Sequence, residues 1–271
     1  MPLTSQICKA SDFRQPWFAR WRPHLTGLEA NGVPLAGAVL HRKEWEFVAI
    51  TQALHERGLL EPGRRGLGFG VGREPLPALF AGLGCDITAT DLEHDGGRWS
   101  GSWAAGLQDL LHTALPSGPE VAERLTFRPV DMNAIGDELT GYDFVWSSSS
   151  LEHLGSFERG MTFLRRQLDC VKPGGWGVHT TEFNLTSSRA AGTEGTVVFG
   201  QRDLADLQAD LATAGHRLLP LVATLGHEDA DHWVARPPWD DAALNPSLLR
   251  LRIGDCLATS VLLVTQRSPS R

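Results

Sequence analysis

Apolar runs typical of strands alternate along this chain with segments of helical spacing. Residues 66–91 combine an apolar start, a glycine-rich turn, a helical stretch and a second apolar run that ends in an acidic residue. Residues 142–147 are another apolar run, and residues 156–170 and 201–215 repeat apolar side chains at helical spacing. This alternation predicts an α/β fold with a doubly wound, mostly parallel sheet.

The N-terminal part of the chain has a different pattern. Residues 42–58 predict an amphipathic helix that Gly58 closes. We therefore assign residues 1–60 to an N-terminal helical cap rather than to an independent domain. The aromatic side chains of this cap either cover the substrate side of a binding site or pack on the sheet, and the sequence leaves both readings open.

The C-terminal part contains two further apolar runs. Residues 218–225 and 256–264 predict a sixth and a seventh strand. The segment between them, about residues 226–248, is polar and proline-rich, and it predicts an insertion in a main domain that covers residues 61–271. Long loops within a domain are often functional.

Composition narrows the class of protein. The chain has 271 residues, 42% apolar and 21% charged, as in a large globular domain. A net charge of −7 without a long basic run argues against tight nucleic-acid binding. No segment approaches the roughly 20 apolar residues of a membrane span, and no secretion signal is recognisable, so we expect a cytoplasmic protein without membrane contact. Cys85, Cys170 and Cys256 lie in or beside apolar runs and predict buried free thiols.

The glycine turn predicts a nucleotide-type ligand. Gly68, Gly70 and Gly72 occupy alternate positions, where small residues let the backbone bend and approach a ligand. Asp91 ends the next apolar run, where a carboxylate can accept both hydroxyl protons of a ribose. The dinucleotide fingerprint fails in every register of these glycines, and no Gly-Lys-Ser/Thr follows for a phosphate loop.

Several motifs together resemble the class I S-adenosylmethionine-dependent methyltransferases. The GxGxG turn with the acidic Asp91 comes first, and residues 126–130 then lead into Asp-Met-Asn. The strand at 142–147 runs into SSSLEHLGS, and CVKPGGWGVH is similar to the family's K-P-G-G turn before strand five. The resemblance covers roughly residues 61–267. It implies a Rossmann-like, seven-stranded sheet with an antiparallel last strand.

The resemblance also implies the cofactor S-adenosylmethionine, with S-adenosylhomocysteine as the product. Asp131 occupies the position that in the family meets the adenine amino group. Trp99 and Trp103 closely follow the acidic end of strand two, so we expect one of them to stack on adenine or to close the substrate pocket. The implied cofactor contacts are Gly68, Phe69, Gly70, Gly72, Asp91, Leu92, Asp131, Met132, Asn133 and Ser147.

One position departs from the family pattern. The family carries Asp or Glu two residues before the first glycine of GxGxG, and this chain has Gly66 there. The family acid helps to hold the methionine amino group. Another carboxylate or a backbone carbonyl would have to take over that contact.

Candidate catalytic residues follow strands four and five. Ligands bind at the carboxyl ends of the strands in such sheets, and His153, His179 and Glu182 are expected there. Each could remove a proton or contact the substrate, while a structural histidine that caps the next helix is the alternative for His153.

Metal-ligating residue types also occur in these regions. His179, Glu182, His227, Asp229 and His232 could bind a divalent ion, but their spacing matches no metal motif. The sequence therefore leaves a divalent metal open and does not favour one.

The expected activity is methylation of a small-molecule acceptor, first of all O-methylation of a sugar or of a secondary-metabolite hydroxyl or carboxyl. HTTEFNLTS is similar to segments of polysaccharide- and natural-product-tailoring members of the superfamily. N-methylation of an amine or peptide is the second hypothesis. A non-catalytic, degenerate binding subunit is supported by Gly66 and opposed by the intact Asp91 and Asp131. A nicotinamide oxidoreductase is disfavoured by the failed fingerprint. A homodimer is a possible assembly.

Overall fold

The elements of the chain follow the order that the hydrophobic pattern predicts. The computed structural model describes residues 2–30, 33–93, 104–111, 119–193, 195–239 and 241–269. The strands are β1 (Ser5–Ile7), β2 (Glu29–Ala30), β3 (Val33–Pro34), β4 (Leu40–His41), β5 (Arg65–Gly68), β6 (Asp86–Asp91), β7 (Leu125–Pro129), β8 (Tyr142–Ser148), β9 (Val171–Asn184), β10 (Ala191–Thr193), β11 (Thr196–Val198), β12 (Arg217–Leu218), β13 (Leu221–Val222), β14 (Val234–Ala235), β15 (Ser247–Leu248), β16 (Arg250–Ile253) and β17 (Cys256–Gln266). The α-helices are α1 (Pro16–Trp21), α2 (Arg42–His55), α3 (Leu76–Gly82), α4 (Pro119–Glu123), α5 (Phe157–Cys170), α6 (Gln201–Thr213) and α7 (Asp229–His232). Short 3₁₀ helices cover Ala10–Arg14, Arg22–Leu25, Leu107–Leu110 and Leu151–His153.

A central sheet confirms the predicted fold class. Its strand order is β13-β1-β17-β9-β8-β5-β6-β7, and the five strands from β9 to β7 are parallel. Strand β17 runs antiparallel to β9, as predicted for the last strand. Helix α3 connects β5 to β6 and α5 connects β8 to β9, and such crossovers keep the strands parallel.

One edge of the sheet differs from the simple seven-stranded expectation. The sixth strand is split into β12, which pairs with β17, and β13, which pairs with β1. Strand β1 inserts between β13 and β17, so the N-terminal segment contributes to the sheet itself. A strand of three residues is too short to show a periodic hydrophobic pattern, and the sequence did not predict it.

The sheet has a hydrophobic core on each face, because successive strand residues point to opposite sides. In β8, Phe144 and Trp146 belong to the core under α2 and α3, where Phe80 contacts the Trp146 ring at 5.1 Å between centroids. Val145 belongs to the other core, with Phe163 of α5. Both faces of the parallel strands are thus covered, as the doubly wound architecture requires.

The predicted K-P-G-G turn is present as an irregularity of β9. Tyr142 pairs with Val171, but Phe144 already pairs with Trp176, so the residues between bulge out of the ladder. Gly174 has a φ of +81°, in the left-handed region that glycine adopts without strain. The bulge sets the register in which the rest of β9 continues to the site.

The four cysteines and several of the N-terminal aromatic side chains are buried. All four cysteines are free, and the predicted burial of Cys85, Cys170 and Cys256 is confirmed. Phe18 and Trp45 are fully buried, and the Trp45 indole N–H donates to Asp12 Oδ2 at 2.8 Å. Within the described ranges, no helix is long and apolar enough to cross a membrane.

Candidate functional site

A cavity of about 980 Å³ opens at the carboxyl ends of the parallel strands. Its walls come from the glycine turn, from the ends of β6, β7 and β8, and from the first turn of α2. The segments that line it include residues 70–75, 91–92, 130–133, 148–150 and 152–154. The topology therefore gathers into one place most of the residues that the sequence motifs indicated.

The glycine turn requires glycine for two reasons. Gly70 and Gly72 have φ values of +55° and +49°, which side chains disfavour. A Cβ on Gly70 would also lie 2.7 Å from the Ser150 Cβ and 3.1 Å from the Met132 sulfur. The turn thus brings bare backbone to the cavity wall.

The absence of the family acid at Gly66 has a packing cause. A Cβ at this position would lie 2.4 Å from the Phe144 ring and 2.8 Å from the Ile87 Cδ1. Aromatic and aliphatic side chains fill the space into which an acidic side chain would extend. The packing of the core around Gly66 therefore leaves no room for an acidic side chain at this position.

Glu74 places a carboxyl group in the same region. Its side chain is buried and lines the cavity, and Trp146 Nε1 donates to its Oε1 at 2.7 Å. Burial raises the pKa of Glu74 to about 8, although the Trp146 N–H and the positive charge of Lys43 act against the rise. Sequence reasoning missed Glu74, because the direction of its side chain depends on an indole from another strand.

Asp91 lines the cavity and braces the glycine turn. Its Oδ2 accepts from the backbone N–H of Gly72 at 3.0 Å and of Ala104 at 3.2 Å, and its Oδ1 accepts from Leu92 at 2.8 Å. Burial raises the pKa of Asp91, and these N–H donors oppose that rise. Leu92 is 44% exposed and lines the cavity beside it.

The segment after β7 forms the next part of the wall. Asp131, Met132 and Asn133, which the sequence resemblance implies as cofactor contacts, all line the cavity. The Asp131 carboxylate accepts from the Asn133 N–H at 2.8 Å, an Asx-type turn that holds the segment at the strand end.

Three predicted cofactor contacts are absent from the described lining. Gly68 lies beneath the turn, where a Cβ would meet the Trp146 indole at 2.4 Å. The Phe69 ring is fully buried against Phe163, at 5.3 Å between centroids. Ser147 points into the core, and the following residues 148–150 reach the cavity in its place.

His179 lies in the core and not in the cavity wall. It is fully buried, its Nδ1 is 2.9 Å from Ser147 Oγ, and its ring meets Phe163 edge-on at 5.4 Å. Burial lowers the pKa of His179 to about 3, so the ring is neutral at physiological pH. The structure does not bring this predicted catalytic residue to the place where a substrate could bind.

His153 and Glu182 do line the cavity. His153 is half-buried, and its Nδ1 lies 2.8 Å from the Gly195 carbonyl oxygen, so that nitrogen carries the proton when the ring is neutral. Glu182 is 3% exposed, and its Oε1 accepts from Arg42 Nη2 at 2.7 Å. Burial raises the pKa of Glu182 to about 7, against the effect of Arg42.

A buried carboxylate on α2 organises the polar wall behind Glu182. Glu46 is fully buried, and it accepts from Lys43 at 3.1 Å, from Ser148 Oγ at 3.1 Å and from Ser149 Oγ at 2.7 Å. Burial opposes its ionisation, but Lys43, Arg42 and the hydroxyl donors outweigh that effect and lower its pKa to about 2. Ser149 has a φ of +46°, a strained conformation of the kind that clusters at functional sites.

The structure does not bring the candidate metal ligands together at one site. His227, Asp229 and His232 are exposed in the insertion, Glu182 lines the cavity and His179 is buried in the core. Across the part of the chain that the structure describes, no group of three or more His, Cys, Asp or Glu side chains could hold a metal ion. Trp99 and Trp103 lie outside the described residues.

Comparison with solved structures finds the same architecture, whereas the two sequence comparisons find no match. No protein-family model and no curated protein matches the chain. A putative sarcosine dimethylglycine methyltransferase from Galdieria sulphuraria superposes with a TM-score of 0.51 at 13% identity, over 83% of this chain and 85% of that one. The [4+2]-cyclase SpnF gives 0.50 at 17% identity, over 83% and 84%. The likeness and the strand order show that the chain has the fold of the class I S-adenosylmethionine-dependent methyltransferases.

Proposed function

We propose that this chain is an S-adenosylmethionine-dependent methyltransferase that acts on a small-molecule hydroxyl. The observation that carries the proposal is the convergence of the glycine turn, Asp91 and residues 130–133 on one cavity. These segments follow three different strands, and a cavity of about 980 Å³ is large for a small-molecule site. In this proposal residues 1–60 cap the acceptor side of a methyltransferase domain that spans residues 61–271.

The residues of the turn fit the cofactor. The left-handed Gly70 and Gly72 expose backbone to the cavity, where a nucleoside can lie close to it. Asp91 would accept the ribose hydroxyls, and Asp131 would meet the adenine amino group. When bound, S-adenosylmethionine supplies an electrophilic methyl group for in-line displacement by the acceptor.

Glu74 would hold the methionine ammonium group. The side chain expected two residues before the turn cannot be accommodated at Gly66, and Glu74 brings a carboxyl to the cavity beside the same turn. The Trp146 N–H fixes its orientation. An ammonium group near this carboxyl would favour its ionised form and gain a charge-assisted hydrogen bond.

The acceptor would bind between α2 and the ends of β8 and β9. Leu28, Leu35 and Phe47 supply apolar contact there and help to exclude water. Glu182 supplies a carboxyl at the base of this region. The insertion at about 226–248 does not contribute to the described lining, so its role in this proposal is structural.

Two other readings compete with this one. SpnF has the fold and is described as a [4+2]-cyclase, so a reaction other than methyl transfer is the second candidate. An amine or peptide acceptor is a variant of the proposed reaction. The homodimer and the cytoplasmic location stay predictions from the sequence.

The direct test of the proposed function measures transfer of the methyl group from the cofactor to an acceptor. S-adenosylmethionine labelled in the methyl group is incubated with the protein and a panel of hydroxyl, amine and carboxyl compounds, and products are identified by mass spectrometry. We expect label on a hydroxyl compound with the wild type, and much less with Asp91→Ala at limiting cofactor. Binding of the cofactor without transfer of its label to any of these acceptors would favour a reaction other than methyl transfer.

A further inference from the structure

Two residues that line the cavity each have a buried carboxylate oxygen without a hydrogen-bond partner among the described residues. Glu152 Oε1 and Glu182 Oε2 have none among the described residues, and both residues line the cavity. Their other oxygens are held by Thr181 Oγ1 at 3.0 Å and by Arg42 Nη2 at 2.7 Å. A buried acceptor without a donor is costly, so these two atoms indicate a ligand that brings donors.

The charges around these atoms select against charged acceptors. A carboxylate acceptor would face Glu152 and Glu182, while Arg42 and Lys43 already pair with carboxylates of the protein. An ammonium acceptor on Glu182 would lie next to the Arg42 guanidinium. A neutral hydroxyl donates a hydrogen bond without either repulsion.

We infer that Glu152 and Glu182 recognise a neutral acceptor through two of its hydroxyl groups, and that Glu182 takes the proton from the hydroxyl that is methylated. This inference rests on the proposed function. The attacking oxygen forms a bond to the methyl carbon while the carbon–sulfur bond breaks, and the electron pair of that bond stays on sulfur. The hydroxyl proton passes to the Glu182 carboxylate, and the sulfonium leaves as a neutral thioether.

The surroundings of Glu182 suit a general base. Arg42, Lys43 and Glu46 on α2 and Glu152 after β8 are the charged groups around it. Burial raises its pKa to about 7, Arg42 opposes the rise, and the charges of Glu152 and Glu46 add to it. A base works best when its pKa lies near the working pH, which this balance achieves.

The rest of the acceptor contacts apolar surface. Leu28, Leu35, Phe47, Leu154 and Ile253 line the cavity. A polyhydroxylated ring with an apolar face fits this combination, and both a sugar and a dihydroxylated aromatic ring have that chemistry. The binding experiment separates the two.

The binding test uses wild-type protein saturated with S-adenosylhomocysteine. One arm titrates methyl glucoside, its 2-amino-2-deoxy analogue and methyl glucuronide, and the other titrates catechol, 2-(aminomethyl)phenol and salicylate. We expect the neutral member of one arm to bind at least roughly tenfold more tightly than its charged analogues. Preference for an amine or a carboxylate, or no hydroxyl compound bound, overturns the inference. Failure of S-adenosylhomocysteine itself to bind would instead count against the proposed function.

The kinetic test uses conservative variants with the preferred acceptor. Glu182→Gln keeps an oxygen that can accept from Arg42. It should lower kcat by about 100-fold or more. In the wild type kcat should rise as the pH passes through 7, and this rise should be absent in the variant. Glu152→Gln should raise the acceptor KM by roughly tenfold and keep the pH profile. The matched control Glu120→Gln removes an exposed acid of α4 that lies outside the described lining of the cavity, and it should change neither. A Glu182→Gln enzyme with unchanged kcat and pH profile overturns the assignment of the base.

Discussion

Replacing Glu74 by glutamine tests the proposed contact between its carboxyl group and the methionine ammonium group of the cofactor. Glutamine keeps an oxygen that can accept from Trp146 Nε1, so the fold around the side chain should be retained. What the change removes is the negative charge that we propose to face the methionine ammonium group. The variant therefore isolates one contact of the cofactor.

The size of the effect depends on pH. Above the pKa of about 8, the loss equals one hydrogen bond to a charged group, about 1.5–3 kcal/mol, or roughly 10- to 100-fold in affinity. At pH 7 the carboxyl must first lose a proton, which costs about 1.4 kcal/mol for one pKa unit. The wild-type advantage over Glu74→Gln should therefore grow about fivefold between pH 7 and pH 8. The groups that shape this titration are Trp146, Lys43, Glu46 and Asp91.

Calorimetry with two related ligands provides the assay. S-adenosylhomocysteine carries the amino group, and 5′-methylthioadenosine shares its nucleoside and lacks the amino acid part. We expect Glu74→Gln to weaken the first ligand and to leave the second within about twofold, and the control Glu120→Gln, on the exposed surface of α4, to weaken neither. Equal losses for both ligands, or a wild-type advantage that stays constant from pH 7 to pH 8, would contradict a contact between Glu74 and the ammonium group.

Three further changes have definite expectations. Asp91→Ala should weaken S-adenosylhomocysteine binding by about 1.5–3 kcal/mol in calorimetry, and unchanged affinity would remove Asp91 from the ribose site. Gly66→Asp should destabilise the fold by about 1–3 kcal/mol or more because its Cβ meets Phe144 at 2.4 Å, whereas Gly82→Ala, with its nearest neighbour at 4.0 Å, should not lower the Tm. The folded state keeps His179 neutral to about pH 3, while the unfolded chain binds a proton below about 6.5, so stability falls as the pH falls through this window. Denaturant titrations should show His179→Gln losing about 1.6 kcal/mol less than the wild type between pH 6.5 and 5; equal losses would contradict its burial as a neutral ring.

Local patterns predicted the architecture, and they indicated many of the residues that line the cavity near the glycine turn. The glycines at 70 and 72 are needed for a left-handed turn, and that requirement is visible in the sequence. Asp91 is the last residue of β6 and residues 131–133 come shortly after β7, and the carboxyl ends of parallel strands meet at one edge. For these residues, knowledge of the strand ends was sufficient to place them.

The acceptor side depended on long-range packing that no local pattern reports. In β9, residues 179–182 are all polar, and the sequence does not show which face each one takes. Thr180 and Glu182 face α2, where they contact Glu46 and Arg42, while His179 faces the core under α5. The inward position of Glu74 likewise depends on Trp146, which lies far away in the chain.

Binding of S-adenosylmethionine in this cavity is the proposal on which the others depend. Calorimetric titration of the wild-type protein with S-adenosylmethionine and S-adenosylhomocysteine, with NAD as the control, tests it most directly. We expect micromolar binding of both sulfur compounds, no binding of NAD and roughly 10- to 100-fold weaker binding of the sulfur compounds in Asp91→Ala. Absence of binding by either sulfur compound, with hydroxyl acceptors present as well as absent, would contradict the account.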